Sequence, residues 1–321
     1  MIGNGWYDPL IQYAAYYNFT VYPGNTYDYS PFNASIEAQM YNSMYGPGNC
    51  YDMTVDCYTH GINEVCSAAD NFCASEVESL LDNLPGRDEY DIRELTPDPF
   101  PYDFYGAYLN TPKVQQAIGA FVNFTHSPTV GNAFGSTGDD DRESGTVEAM
   151  RKLVSQGIYV VMYAGDADYN CNWLGGQAVA HKINTPGFST AGYTNVSTSD
   201  CVVHGQVKQS SNFAFVRVYE SGHEVPFYQP LFALEMFDRA INEKDIATGE
   251  HKVKSGSGYK TKGPLESTYR QGNATVQFSV LPADATYNTT TGAPNPTTNG
   301  TSTKRSLAGA HSLKRRSNKP Y

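Results

Sequence analysis

The chain has 321 residues, a formal net charge of −11 and a pI near 5.0, with 40% hydrophobic and 13% aromatic residues. Its 33 acidic against 22 basic side chains exclude a face built to neutralise phosphates, so nucleic acid is not an expected partner. No apolar run reaches the roughly 18 residues that a membrane span needs, and the length suits a folded α/β chain with a sizeable core.

Residues 1–30 are aromatic and punctuated by Pro and Gly. Met1-Ile2-Gly3-Asn4-Gly5-Trp6 lacks the basic start, apolar run and small-residue cleavage site of a secretion signal. Beyond it the segment from Ser35 to Tyr45 carries a helical pattern, as does Ser75 to Leu84. Between them Cys50, Cys57, Cys66 and Cys73 are spaced 7, 9 and 7, a pattern symmetric about its centre. Zinc sites usually pair cysteines two to four residues apart, and no such pair occurs, so no metal is expected. Two nested bridges, Cys50–Cys73 around Cys57–Cys66, fit the symmetry and an oxidising compartment. Four cysteines allow three connectivities, and spacing by itself leaves all three open.

Tyr108-Leu109-Asn110 leads into Val114, Ile118 and Phe121 at helical spacing. The acidic run Asp139-Asp140-Asp141 with Glu143 reads as a solvated loop, because adjacent carboxylates repel one another. Val147, Met150, Leu153 and Val154 then form one apolar helical face that Gly157 ends. Ile158 to Tyr163 is an apolar run rich in β-branched residues, the mark of a strand buried on both faces. Cys171 and Cys201 form either a third bridge or two thiols. Phe213 to Tyr219 is a second strand. Pro230 opens a helix whose stripe is Leu231, Leu234, Phe237 and Ile241. Helix, strand, loop, strand and helix in that order predict an α/β fold.

The 37 residues after Asp284 contain no acidic side chain and are rich in Thr, Asn, Gly and Pro, which predicts a disordered tail. Its Lys304-Arg305 and Lys314-Arg315-Arg316 are candidate processing sites, and no hydrophobic lipid-anchor signal follows. Seven Asn-x-Ser/Thr sequons begin at Asn18, Asn33, Asn123, Asn195, Asn273, Asn288 and Asn299. They point to the secretory route, although Asn- and Thr-rich loops also produce such triplets without modification. A start upstream of Met1 reconciles the sequons with the bare N-terminus.

Two loops carry the chemistry. Gly165-Asp166-Ala167-Asp168-Tyr169-Asn170-Cys171-Asn172-Trp173 and Ser221-Gly222-His223-Glu224-Val225-Pro226 each follow a predicted strand at its C-terminal end, where open α/β sheets bind ligands. An acid after one strand and a His after a later one is the chain order of an α/β-hydrolase triad. A His near its ordinary pKa of about 6.5 accepts a proton from a hydroxyl and returns it to a leaving group. A carboxylate on its other ring nitrogen fixes the tautomer. Each residue taken singly also fits a turn former or a structural His.

Three blocks, in order, resemble the serine carboxypeptidases: Met1-Ile2-Gly3-Asn4-Gly5-Trp6-Tyr7-Asp8-Pro9, Gly165 to Gly175, and Gly222-His223-Glu224-Val225-Pro226-Phe227. The likeness is strongest to fungal secreted members and runs from Met1 to about Ile241. It implies the C-terminal part of an α/β-hydrolase fold with nested disulfides Cys50–Cys73 and Cys57–Cys66. Residues 1–30 would end the first α/β segment, 31–120 form a helical cap insertion, 121–245 carry the acid and base, and 246–321 form an extension and tail. Asp168 would be the triad carboxylate, His223 the general base, and Asp166 a loop-shaping neighbour. Glu224 would face the pocket for the residue before the scissile bond and favour basic side chains there, with Cys171 as a pocket-side thiol. The implied reaction removes C-terminal residues from peptide or protein substrates without a cofactor or metal, in a secreted or vacuolar setting.

The family's Gly-x-Ser-x-Gly nucleophile block does not occur; Gly135-Ser136-Thr137-Gly138 and Gly256-Ser257-Gly258 do not fit it. The chain is therefore expected to correspond to the C-terminal part of a member and to be inactive alone. A non-catalytic secreted glycoprotein and an acyltransferase on the same fold are the competing expectations.

Overall fold

Strands β1 (Ile2–Gly3), β2 (Val160–Gly165), β3 (Thr194–Ser197), β4 (Val203–Ser210) and β5 (Phe213–Val218) form one sheet in the order β1-β2-β5-β4-β3. The first three in that order run parallel, and β4 and β3 continue the sheet antiparallel. The computed structural model describes residues 1–21, 31–83, 86–94, 105–125, 128–139, 141–142 and 145–267, with the backbone of 287–288 and 293–294.

Side chains alternate across a strand, so a strand buried on both faces must be apolar at successive positions. β2 and β5 meet that requirement except at Arg217 of β5, a buried charge paired with Asp166. Val160, Met162, Ala164, Phe213 and Phe215 enter one core. Val161, Ala214, Val216 and Val218 enter the other. Fully burying each large side chain contributes about 1.5–3 kcal/mol. Helices α1 (Pro9–Thr20), α2 (Ala34–Tyr45), α3 (Cys50–His60) and α4 (Asn63–Cys73) precede a π turn at Ala74–Glu78 and α5 (Leu80–Asn83). Then come α6 (Tyr105–Leu109), α7 (Pro112–Ile118), α8 (Pro128–Gly135), α9 (Thr146–Ser155), α10 (Trp173–Ile183), α11 (Val225–Tyr228) and α12 (Pro230–Ile241). Residues of α1, α9 and α10 fill the first core, and Phe232 and Met236 of α12 fill the second. The sheet is thus sandwiched between helices. Two further strands, β6 (Tyr287–Asn288) and β7 (Ala293–Pro294), pair with each other.

The cysteine spacing has a helical cause. Cys50, Thr54 and Cys57 lie on one buried face of α3, and Cys66, Ala69 and Cys73 on one buried face of α4. Seven residues are two helical turns, so each helix presents two sulfurs on one side. Gly61, in the left-handed region at φ +63, ends α3 and reverses the chain. The bridges are nested, Cys57–Cys66 near the reversal and Cys50–Cys73 at the far end.

Several expectations need correction. The predicted stripe of α12 faces outward: Leu234, Phe237 and Ile241 are 65, 52 and 62% exposed. Phe232, Met236 and Arg239 face inward instead, because Arg239 reaches the carbonyls of Ile246 and Ala247, which the next segment brings under that side. Ile158 and Leu153 are exposed, and β2 starts at Val160. The cause is local: Gly157, at φ +89, closes α9 with Gly157 N–H donating to the Val154 carbonyl and Ile158 N–H to that of Leu153. Ile158 is spent on that cap. Phe121 lies beyond α7 and is fully exposed, and no residue of α7 is buried.

The acidic run is not uniformly solvated. Asp139 pairs with Arg142 at the surface, whereas Asp141 is fully buried beneath α3, where it accepts hydrogen bonds from the Thr54 and Tyr13 hydroxyls. Asp140 and Glu143, the basic pairs of the tail and the sequons at Asn273 and Asn299 lie outside the described residues; of the tail expected to be disordered, 287–288 and 293–294 are described and pair as strands β6 and β7. Asn18, Asn33, Asn123 and Asn195 are exposed, and Asn33 caps α2 by accepting the N–H groups of Ser35 and Ile36. Asn288 falls in β6.

Candidate functional site

Strands β2 and β5 are adjacent and parallel, so the loops after Gly165 and Val218 leave the same edge of the sheet side by side. Their backbones touch. Asp166 N–H donates to the Val218 carbonyl and Ala167 N–H to that of Ser221, at 2.8 and 2.9 Å. A Cβ on Gly165 would lie 2.2 Å from the Ser221 carbonyl oxygen, so only glycine admits this approach.

The first acid of the β2 loop is structural. Asp166 is fully buried, accepts the Glu220 N–H, and faces the equally buried Arg217 guanidinium. Arg217 in turn lies over the Trp173 ring at 4.3 Å and donates to Ser267. A charge carried into a core in this way needs such partners to offset its desolvation.

The second acid meets the His. Asp168 is fully buried, and its Oδ2 lies 3.0 Å from His223 Nδ1. A carboxylate only accepts, so Nδ1 carries the proton in this hydrogen bond. The same Oδ2 accepts the Asn4 side-chain amide at 2.6 Å, and Oδ1 accepts the Cys171 N–H at 3.2 Å. The carboxylate is thus buried and held by three donors, while the His223 side chain keeps 30% exposure. Asn4 reaches Asp168 from the end of β1 in the left-handed region, at φ 43, which Asn tolerates better than most residues.

The Cys171 thiol, the Asp168 carboxylate and a ring nitrogen of His223 lie within 4.8 Å of one another. Burial first, then the Asp168 charge, pushes the thiol far above its ordinary pKa, so it stays protonated and neutral. Cys171 and Cys201 are not bridged. Glu224 is half-buried beside His223, and its Oε2 is buried without a hydrogen-bond partner. Burial raises its pKa, opposed by the neighbouring His223.

The structure therefore brings Asp168, His223, Cys171 and Glu224 to one sheet edge. Sequence reasoning missed two contributors. Asn4 had a readable signal, since an Asn between Gly3 and Gly5 favours the left-handed backbone. Tyr90, whose ring stands edge-on to the His223 imidazole at 5.2 Å, had none.

Known proteins resemble this chain in sequence and in fold. The family model described as serine carboxypeptidase matches residues 1–243. Carboxypeptidase S1 homolog B of Arthroderma otae is 40% identical over 288 residues, which cover 83% of this chain and 44% of the relative. Carboxypeptidase S1 of Penicillium janthinellum is 37% identical over 254 residues, covering 77% of this chain and 57% of the relative. Among solved structures, a prohormone-processing carboxypeptidase of Saccharomyces cerevisiae matches 75% of this chain and 53% of its own at 20% identity and a TM-score of 0.55. That likeness is one of fold: the mixed sheet and its helices match the α/β-hydrolase carboxypeptidase architecture. The chain spans about half the length of the curated relatives it matches.

Proposed function

The chain belongs to the serine carboxypeptidase family, and on that premise we propose that it supplies the general base and orienting acid of a serine-type carboxypeptidase that releases C-terminal residues from peptides. The observation that carries the reading is the His223–Asp168 hydrogen bond, between a buried carboxylate and a half-open imidazole. In the proposed reaction a serine hydroxyl attacks the last peptide carbonyl while His223 Nε2 takes its proton. His223 then returns that proton to the departing amine, leaving an acyl-enzyme. Water enters by the same route in reverse: its proton passes to His223, its hydroxide to the acyl carbon, and the proton returns to the serine. Asp168 holds the productive tautomer and stabilises the imidazolium throughout.

The nucleophile is the missing part, since no Gly-x-Ser-x-Gly occurs in these residues. The 321-residue chain alone is therefore inactive. Incubating it with a fluorophosphonate probe should give no covalent adduct; labelling at any serine would sink this reading. Peptide mapping of the protein isolated from its source should find Gly-x-Ser-x-Gly upstream of Met1. The nested disulfides and exposed sequons favour export to an oxidising, glycosylating compartment, and no described helix is long and apolar enough to cross a membrane.

Glu224 is proposed as a pocket carboxylate that favours Arg or Lys before the scissile bond, with Cys171 as a pocket-side thiol. A buried carboxylate oxygen lacking a protein donor supports this role, because an incoming cation would satisfy it. Replacing Glu224 by Met in a nucleophile-bearing form should lower kcat/KM for Arg and Lys substrates about tenfold relative to Leu. An unchanged profile would refute the assignment.

A further inference from the structure

The segment Asp88–Glu94 supplies neither the acid nor the base, yet it is bonded to both of their loops. It is a self-closed turn. Asp88 Oδ1 accepts the N–H groups of Tyr90 and Asp91 at 2.7 and 3.1 Å. The fully buried Asp91 accepts the Arg93 main-chain N–H and holds its guanidinium through both oxygens, at 2.8 and 2.6 Å. Asp88 N–H and Glu94 N–H close the ring onto the Glu94 and Asp91 carbonyls.

Toward the acid loop, the Glu89 carbonyl accepts from Tyr169 N–H and Asn170 N–H at 3.0 and 2.9 Å, the two residues that follow Asp168. Ile92 N–H donates to the carbonyl of Ala167, the residue before it, at 2.9 Å. Toward the base loop, His223 N–H donates to the Tyr90 carbonyl at 2.8 Å, and the Tyr90 ring stands edge-on to the imidazole. Arg93 lies over the Tyr228 ring in α11, 5.4 Å from its centroid. A Cβ on Gly222 would stand 2.5 Å from the Tyr90 carbonyl oxygen, so the turn and the base loop are in direct backbone contact.

Accepting the acid–base reading above, we infer that residues 88–94 are a strap that sets the separation of the Asp168 and His223 loops, and that Tyr90 is its positioning residue. The carbonyl of Tyr90 fixes the His223 main chain, and its ring holds the plane of the imidazole so that Nδ1 stays on Asp168. Two loops joined only by their own few hydrogen bonds would open locally; a third segment bonded to both suppresses that opening. The inference does not concern the Tyr90 hydroxyl.

The test is nuclear magnetic resonance on the 321-residue chain with labelled histidine, following the His223 Nδ1 proton, its exchange with solvent and the ring tautomer. Tyr90→Ala should speed exchange of that proton at least about tenfold and lose the single Nδ1-protonated tautomer. Tyr90→Phe, which keeps ring and carbonyl, should behave as the unmodified chain. If Tyr90→Ala loses the dispersed spectrum of a folded chain, Tyr90→Leu, which keeps apolar bulk without the aromatic edge, makes the same comparison. Asp168→Asn separates the two levels. Should it alter the Nδ1 signal while Tyr90→Ala and Tyr90→Leu leave it unchanged, Tyr90 as the positioning residue is overturned, and with it the inference, while the acid–base pair stands. Should Asp168→Asn itself leave the signal unchanged, the acid–base reading fails, and the strap with it.

Discussion

The α3–α4 hairpin and the edge where β2 and β5 end are stabilised by opposite means. In the hairpin, four buried sulfurs from residues close in sequence lock two helices covalently. At the sheet edge, residues from four distant stretches (Asn4, 88–94, 166–171 and 221–228), with Arg217 of β5, meet through hydrogen bonds, buried ion pairs and ring contacts. The comparison teaches where precision comes from in this molecule. A crosslink restricts the unfolded chain and holds a shape whatever surrounds it. A polar cluster holds atoms to within tenths of an ångström only while every partner is present, since each orphaned buried group costs its desolvation.

The difference is open to direct attack, beginning at the sheet edge. Asp166→Ala leaves the Arg217 guanidinium buried without its carboxylate and should cost about 3–5 kcal/mol in urea unfolding. Adding Arg217→Met should recover much of that loss; if the double variant is as unstable as the single one, the ion pair is not what the edge depends on.

Breaking the outer crosslink comes next. Cys50→Ser with Cys73→Ser should cost about 2–5 kcal/mol in urea unfolding. Hydrogen exchange should show the loss concentrated in α3 and α4, with the amides of Ala167 and His223 still protected. Equal loss at both places would mean that the hairpin and the sheet edge are one cooperative unit.

A turn outside both regions supplies the smallest effect. At Asp200 partial burial raises the pKa, but hydrogen bonds from Thr198, His204 and the Val202 N–H outweigh it and bring the value to about 2. The unfolded value is about 3.9, so the contribution to stability is complete above about pH 4 and is lost as pH falls through 2. Asp200 is partly exposed, and Asp200→Asn should cost less than about 1 kcal/mol at pH 6 and only a small part of that at pH 2. Melting curves at the two pH values check the sign.

Much of the site was legible in the residues, and the reason is visible strand by strand. β2 and β5 announced themselves because a strand covered on both faces is largely apolar (Arg217 being the exception in β5), and an acid and a His stood in the loops that follow them. The cysteine pattern was legible because seven residues return a helix to the same side. The orientation of α12 was not: Phe232 and Met236 on one side and Leu234, Phe237 and Ile241 on another make the helix apolar almost all round, so periodicity does not select a face. Ile158 was misplaced because an apolar residue used in a helix cap looks like the first residue of a strand.

By itself the sequence determined the α/β class, the strands that carry chemistry, and the residue types able to orient and move a proton. Those properties are local, set by side-chain volume, β-branching and spacing along a few turns or one strand. Only the tertiary structure decided that Asn4 shares an oxygen of Asp168 with His223, that Asp166 belongs to Arg217, that Asp141 is buried, and that Tyr90 abuts the imidazole. Each of those contacts joins segments between about fifty and more than a hundred and sixty residues apart, and no local rule of composition or period encodes which distant backbone a buried polar group will find.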